Sequence, residues 1–204
     1  MIEIFRENIK QIRNRFEIVD LLNSQQRKEE ACDILRFQIV YAMSALDFFM
    51  HEIYSYALLK IFRNESPKTD RYNEYKIPLK LLEQALYDAE NIDHYLKETF
   101  IDLNRNYTFM SPGRIRELLN IISSEDEFAM VEKSLKAKNI ISKHKRLDRI
   151  LDEIYDRRNK IAHQTDINHG KDDKNAITKD EVEFYINIIS HLVESLYQVI
   201  CLNK

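Results

Sequence analysis

Apolar residues recur along this chain at steps of three and four, a pattern that predicts helices over most of its length. Phe5, Ile9, Ile12, Phe16 and Val19 make one stripe, so a first helix is expected over residues 2–22, broken by Asn23 and Ser24. A second is expected from Arg27 to Phe62 along Leu35, Ile39, Ala42, Leu46, Phe49, Ile53 and Tyr56. At 1.5 Å per residue it would be on the order of 50 Å long, more than most domains need, which points to a kink or a partner surface along it. The polar stretch 64–77 follows, with Pro67 expected to stop the helix. Residues 78–105 read as one or two shorter helices carrying Leu79, Leu82 and Leu86, then Ile92, Tyr95, Leu96 and Phe100. Ser111 as N-cap and Pro112 at the first helical position open the next helix. Ser124 with Glu127, and Thr178 with Glu181, have the spacing of capping boxes. A helix is expected from about Ser142 to Ala162, and a last one carries Val182, Tyr185, Ile189, Leu192, Leu196 and Val199. The fold class expected is all-α, one helical bundle with additional short helices, forming a single domain over residues 1–204.

Composition sharpens this. The 204 residues include only two glycines and three prolines, where an average chain would carry roughly 24 of the two together. Sheet proteins need far more turn residues, and phosphate loops need clustered glycines that let backbone N–H groups approach the ligand. Both classes are excluded. Two cysteines, Cys32 and Cys201, make neither a disulfide framework nor a cysteine-rich metal site. The N-terminus has no unbroken apolar run of the signal-peptide kind. The most apolar window, residues 39–59, holds Asp47, His51 and Glu52 near its middle, so it reads as a buried helix, and the protein as cytoplasmic with no membrane partner.

No metal site is expected. His51-Glu52 begins a zincin-like H-E-x-x-H, but its fifth position is Ser55, so the second ligand is absent. Charge is more informative. The net charge is −3, yet residues 133–160 hold ten Lys+Arg against four Asp+Glu, a balance of +6 that leaves −9 for the rest. That segment ends in Arg157-Arg158-Asn159-Lys160-Ile161-Ala162-His163. Arg158 and His163 stand as R-x4-H, a spacing that about 0.4 pairs would meet by chance in this composition. Arg158 falls between Ile154 and Ile161 on the apolar stripe, where an unpaired cation is expensive. A core-edge carboxylate would satisfy it, and His163 would then simply favour the negative end of its helix. A phosphate-binding cleft would satisfy it equally.

RRNKIAH, entering from a helix and leaving into a polar loop, resembles the motif of the HEPN superfamily, an Arg, a polar residue and a His after four to six positions. MSALDFFMHEIY (43–54), FMSPGRIRELLN (109–120) and the long helix after Thr178 resemble the RiboL-PSP-type HEPN branch, so the likeness covers most of the chain. It implies an all-α bundle and a homodimer whose motif helices meet. It also implies a metal-independent endoribonuclease without cofactor, used as a toxin or antiphage effector and paired with RNA and an antitoxin or partner defence protein. The alternative is a catalytically silent HEPN bundle that binds RNA or a nucleotide, or dimerises a partner protein.

The residue types suit the chemistry. Metal-free RNA cleavage needs the 2′-hydroxyl deprotonated and the charge on phosphorus stabilised. An imidazole titrating near neutrality serves the first and a guanidinium the second. The expected catalytic set is Arg158, His163 as base or acid, and Asn159 orienting the phosphate or the imidazole. Asp47, where this branch tends to carry an acid, is expected either to orient His163 or Arg158 or to be a structural ion-pair partner. Arg157, Lys160, Arg149, Arg146 and Lys145 are the expected RNA contacts. Nucleotidyltransferase-controlled members of the superfamily commonly carry a tyrosine two residues after the histidine. Thr165 stands there, which argues against adenylylation at that position.

Overall fold

The computed structural model describes residues 1–167 and 173–202. Its helices are α1 (Ile2–Asn14), α2 (Phe16–Ser24), α3 (Lys28–Phe62), α4 (Asp70–Asn73), α5 (Leu79–Tyr87), α6 (Ile92–Asn104), α7 (Pro112–Ile122), α8 (Glu127–Ala137), α9 (Leu147–Gln164) and α10 (Lys179–Tyr197). A 3-10 turn lies between α5 and α6, and a π-type turn, Gln198–Leu202, extends α10. No strand occurs among the described residues; Ile167 and Lys174 form an isolated bridge. The all-α expectation holds.

α3 is the spine. It packs against α1, α2, α6, α7, α9 and α10, and Ile39, Met43, Leu46, Phe49, Met50, Ile53 and Leu58 are buried along it. A helix enclosed on most sides is apolar on most sides, which explains the nearly continuous apolar window at 39–59. α10 is the other core helix. It extends through Leu202 as a segment long and apolar enough to cross a membrane by length and composition, but Val182, Ile186, Ile189, Leu192, Val193 and Leu196 are buried within the bundle.

Several boundaries differ from the expected ones for identifiable reasons. The first helix divides at Arg15. There the Ile12 carbonyl accepts from Gln38 Nε2 at 2.8 Å and from Arg15 N at 3.1 Å. α3 ends before Pro67, where Asn64 takes φ 58° and Glu65 N donates to Lys60 O, the left-handed stop that usually employs glycine. α9 begins at Leu147, not near Ser142. Asp126, not Ser124, caps α8, its carboxylate accepting from Ala129 N, while Glu127 is buried and accepts from Ser123 Oγ. Thr178 caps α10 as expected, but the Glu181 carboxylate takes the Tyr185 hydroxyl instead of closing a box. α4, capped by Thr69, arises inside the stretch read as loop. His169 and Gly170 lie outside the described residues.

A chain so poor in glycine makes its helix ends from other residues. Gln26, Asn64, Asn139, Thr165 and Asp166 all have positive φ. Gln26 (φ 62°) has no short side chain to ease that conformation. Gln26→Gly is therefore expected to raise the unfolding free energy by about 1 kcal/mol, measured by urea denaturation.

Acid should weaken the α1–α10 contact. Arg6 Nε and Nη2 donate to the two Glu194 oxygens at 2.7 Å, and these bonds hold the Glu194 carboxyl below its ordinary value. Nearby, burial first, then Lys138 and Arg13, lower the His191 pKa from 6.5. Both folded-state values lie below the unfolded ones, so the unfolded chain binds more protons and stability falls as pH drops. The decline begins near pH 6.5 through His191 and continues below about 4.5 through Glu194. Urea unfolding at pH 7.5, 6 and 5 checks this, and His191→Gln should flatten the upper part of the slope.

Candidate active site at the end of α9

The rotation of α9 is set by Leu147, Ile150, Leu151 and Ile154, all buried. One turn later the same faces carry Arg157 and Arg158, whose environments differ. Arg157 turns toward the segment that precedes α10. Its Nη2 donates to Asp166 Oδ2 at 2.9 Å and to the Ala176 carbonyl at 2.8 Å. Arg36 of α3 reaches the same oxygen from the other side, Nε to Asp166 Oδ2 at 2.8 Å, and donates to the Asn175 carbonyl and to Asp33. Asp166 is completely buried. Its second oxygen and its carbonyl accept from the Asn175 amide group.

This network fixes the chain immediately after His163. Thr165 and Asp166 both adopt positive φ, and Asp166 N donates back to Lys160 O at 3.0 Å. Two consecutive non-glycine residues in that region persist only where their surroundings over-determine them, and two guanidinium groups on one buried carboxylate do so. Beside the network, a cavity of about 580 Å³ is bordered by Lys28, Asp33, Arg36 and Lys174 together with the apolar Ala176 and Ile177.

Arg158 has no such partner. It is half-buried, its Nη1 donates to Asn159 Oδ1 at 3.0 Å, and its Nε is buried without a hydrogen-bond partner. Among the described residues no carboxylate forms an ion pair with it. The core-edge pairing considered from sequence is not found among the described residues. Asn159 lies one helical turn from His163 on the same face, and His163 is exposed in the last turn of α9. At the helix end, then, a guanidinium is bonded to the neighbouring Asn159 amide, and Asn159 shares a face with His163, whose imidazole is open to solvent and lies about 140° around the helix from Arg158.

The other expected residues are placed differently. Both Arg157 and Arg158 precede His163 by a spacing the HEPN motif allows, and the structure separates them: Arg157 is tied to Asp166 and the Ala176 carbonyl. Arg146 is paired with Asp148, and Lys145 Nζ sits over the Phe184 ring, 5.5 Å from its centre. Both belong to the opposite end of α9, on the order of 25 Å from His163 along the helix. Arg149, exposed, is also about four turns away; only Lys160 is exposed beside the motif. Asp47 does not orient His163 or Arg158. It accepts from Phe109 N at 2.6 Å and lies 3.9 Å from His51 Nε2, eleven residues beyond Arg36 and so on the order of 16 Å along α3 from the level of the motif.

Asp166 and Arg36 were not anticipated. The available signal was Arg36, a cation set among the apolar positions of α3 between Leu35 and Ile39. Its partner 130 residues away left no trace in local spacing.

A family model described as RiboL-PSP-HEPN matches residues 5–202. No curated protein and no solved structure matches the chain.

Proposed function

Since the chain belongs to the RiboL-PSP-HEPN family, whose membership suggests RNase-type or nucleotide-binding function, we propose that it is a metal-independent endoribonuclease acting as a toxin or antiphage effector. The observation that carries this reading is Arg158: a half-buried guanidinium that pairs with no carboxylate among the described residues, on the helix end that also carries the exposed His163 imidazole. Such a cation is costly unless an anion arrives to meet it, and its fork of donors matches phosphate oxygens.

In the reaction, the 2′-oxygen of a ribose loses its proton to a base and attacks the adjacent phosphorus, whose bond to the 5′-oxygen breaks. An acid protonates that oxygen. The ends are a 2′,3′-cyclic phosphate and a 5′-hydroxyl. Arg158 neutralises the charge gained on the phosphoryl oxygens, Asn159 holds the guanidinium or the phosphate, and Lys160 attracts the strand. One imidazole per chain supplies either the base or the acid, so a homodimer, with two copies of His163 near one cleft, supplies both.

Phe37, Tyr41 and Phe48 support that assembly. They are exposed and fall within about 40° of one another around α3, and Phe37 adjoins Arg36 of the network that holds the motif end. Light scattering is expected to give twice 24.5 kDa, and Phe37→Glu with Tyr41→Glu to give the monomer.

The test of the function is incubation with RNA in EDTA, followed by end-group analysis. Cleavage with cyclic-phosphate ends that Arg158→Ala and His163→Ala abolish supports the reading. Cleavage that needs metal, or that survives both substitutions, overturns it. The exposed His163 ring, which has no orienting partner among the described residues, favours a second reading: a silent bundle that binds RNA or a nucleotide, or serves as a dimerisation module. Expression separates the two, because a nuclease harms the cell and its His163→Ala variant does not, whereas a silent module is harmless in both forms.

A further inference from the structure

Two sequence segments that the motif does not use, residues 43–54 and 109–120, meet at the other end of α3. Their contacts build a cavity. Asp47 binds the Phe109 amide. His51 Nε2 lies 3.2 Å from the Tyr107 carbonyl oxygen, to which it can only donate, and its ring packs against Phe109 with centroids 4.7 Å apart. These anchors hold the loop that places Tyr107 at the mouth of a cavity of about 260 Å³. Its floor is aromatic: Tyr54 lies against Tyr75 and Phe109, at 6.5 and 6.0 Å between centroids.

The cavity combines a flat π surface with polar groups of both kinds. The Arg114 guanidinium lies 5.2 Å over the Tyr107 ring and donates to Glu117 at 2.8 Å. Lys76 stands at the rim and Asn104 within it, the latter 3.5 Å from the Tyr75 hydroxyl. Burial and the neighbouring Tyr75 push the Tyr54 phenol well above its ordinary value, so it remains a protonated donor. Stacking on Tyr107 or the aromatic floor suits any base. Asn104 Nδ2 donates to the Phe100 carbonyl at 2.7 Å and one Glu117 oxygen accepts from Arg114, which leaves Asn104 Oδ1, the other Glu117 oxygen and the phenols for the edge of a heterocycle, which presents donors and acceptors together. Lys76 and Arg114 outweigh Glu117 by one positive charge, enough to favour a phosphate at the rim. The volume lies just below the range of about 300–1,000 Å³ usual for small-molecule sites, which suits a ligand no larger than a base with its sugar.

We propose that this cavity is a nucleotide-binding site, base inward and phosphate toward Lys76. It is separate from the motif on α9: Tyr54 is eighteen residues beyond Arg36 on α3, on the order of 27 Å along the helix. The ligand is either a free mononucleotide or an unpaired residue of an RNA strand, and the site does not depend on whether the protein cleaves RNA.

The experiment is calorimetric titration of the full chain carrying His163→Ala, so that no strand is cut. The ligands are AMP, GMP, CMP and UMP, and a short single-stranded oligoribonucleotide. Saturable binding of a mononucleotide, one per chain, weakened about tenfold by Tyr107→Ala and by Lys76→Ala and retained by Tyr107→Phe, supports a free-nucleotide site. The same dependence with the oligonucleotide alone supports a site for an unpaired RNA residue. Tyr107 and Lys76 are exposed, so their variants should keep the thermal transition of the parent. Absence of binding by every ligand, or binding that Tyr107→Ala and Lys76→Ala leave unchanged, overturns the proposal.

Discussion

Substitution of Asp166 by alanine is expected to lower the unfolding free energy by about 3–5 kcal/mol, or on the order of 10 °C in Tm. The carboxylate is fully buried and receives Arg36 and Arg157 together. Arg36 is itself buried. Removing the shared anion leaves two cations close together with only the half-exposed Asp33 and backbone carbonyls to offset them, and that arrangement costs much more than the net worth of an ion pair. Asp166→Asn keeps the shape and an acceptor but not the charge, and should fall between wild type and alanine. Thermal unfolding of the three forms checks the order. Equal stability of Asp166→Ala and wild type would mean that Arg36 and Arg157 find other partners. The same variants should lose the proposed RNA cleavage more steeply than their stability alone explains, because Asp166 lies three residues after His163 and determines the path of the chain there.

The second large effect is on the proposed cleavage. His163→Ala and Arg158→Ala are each expected to reduce the rate by about 10²–10⁴, the usual contribution of a positioned acid or base and of a group that stabilises developing charge. Asn159→Ala, which removes only an orienting bond, should cost less. Stability separates Arg158 from Asp166. Arg158 has a buried Nε and no anion in the described structure, so Arg158→Met replaces an unsatisfied cation by an apolar chain of similar length. Its Tm is expected to stay level or rise while cleavage is lost, the behaviour of a residue kept for function against stability. A fall in Tm as large as that of Asp166→Ala would assign Arg158 a structural role instead. Single-turnover cleavage in EDTA and thermal unfolding of the same preparations make the comparison.

How much of this was legible beforehand differs residue by residue. Helix positions followed from the spacing of apolar residues, since burial of one stripe imposes the 3.6-residue period wherever packing occurs. Caps with a short side chain followed too: Ser111, Pro112 and Thr178 stand where expected because a cap is a contact across three residues. The break at Arg15 was not legible, because Gln38, from another helix, takes part in it. Asp126 took the cap in place of Ser124, while the buried Glu127 side chain accepts from Ser123. The motif was legible as spacing, but two arginines satisfied that spacing.

The sequence alone determined the helical class, the approximate course of the chain and the RRNKIAH segment, because each rests on interactions within a few residues or on composition. It also established the +6 balance around the motif, but not where those charges would point. Tertiary structure decided which arginine a carboxylate holds among the described residues. Asp166 could select Arg157 only after the loop beyond α9 folded back against Arg36 of α3, across 130 residues. Tertiary structure also moved Asp47 from the motif to the aromatic cavity, because helical rise places residues 36 and 47 at different levels of one long helix. Contacts distant in sequence carry no local period, so their partners become known only when the helices are packed.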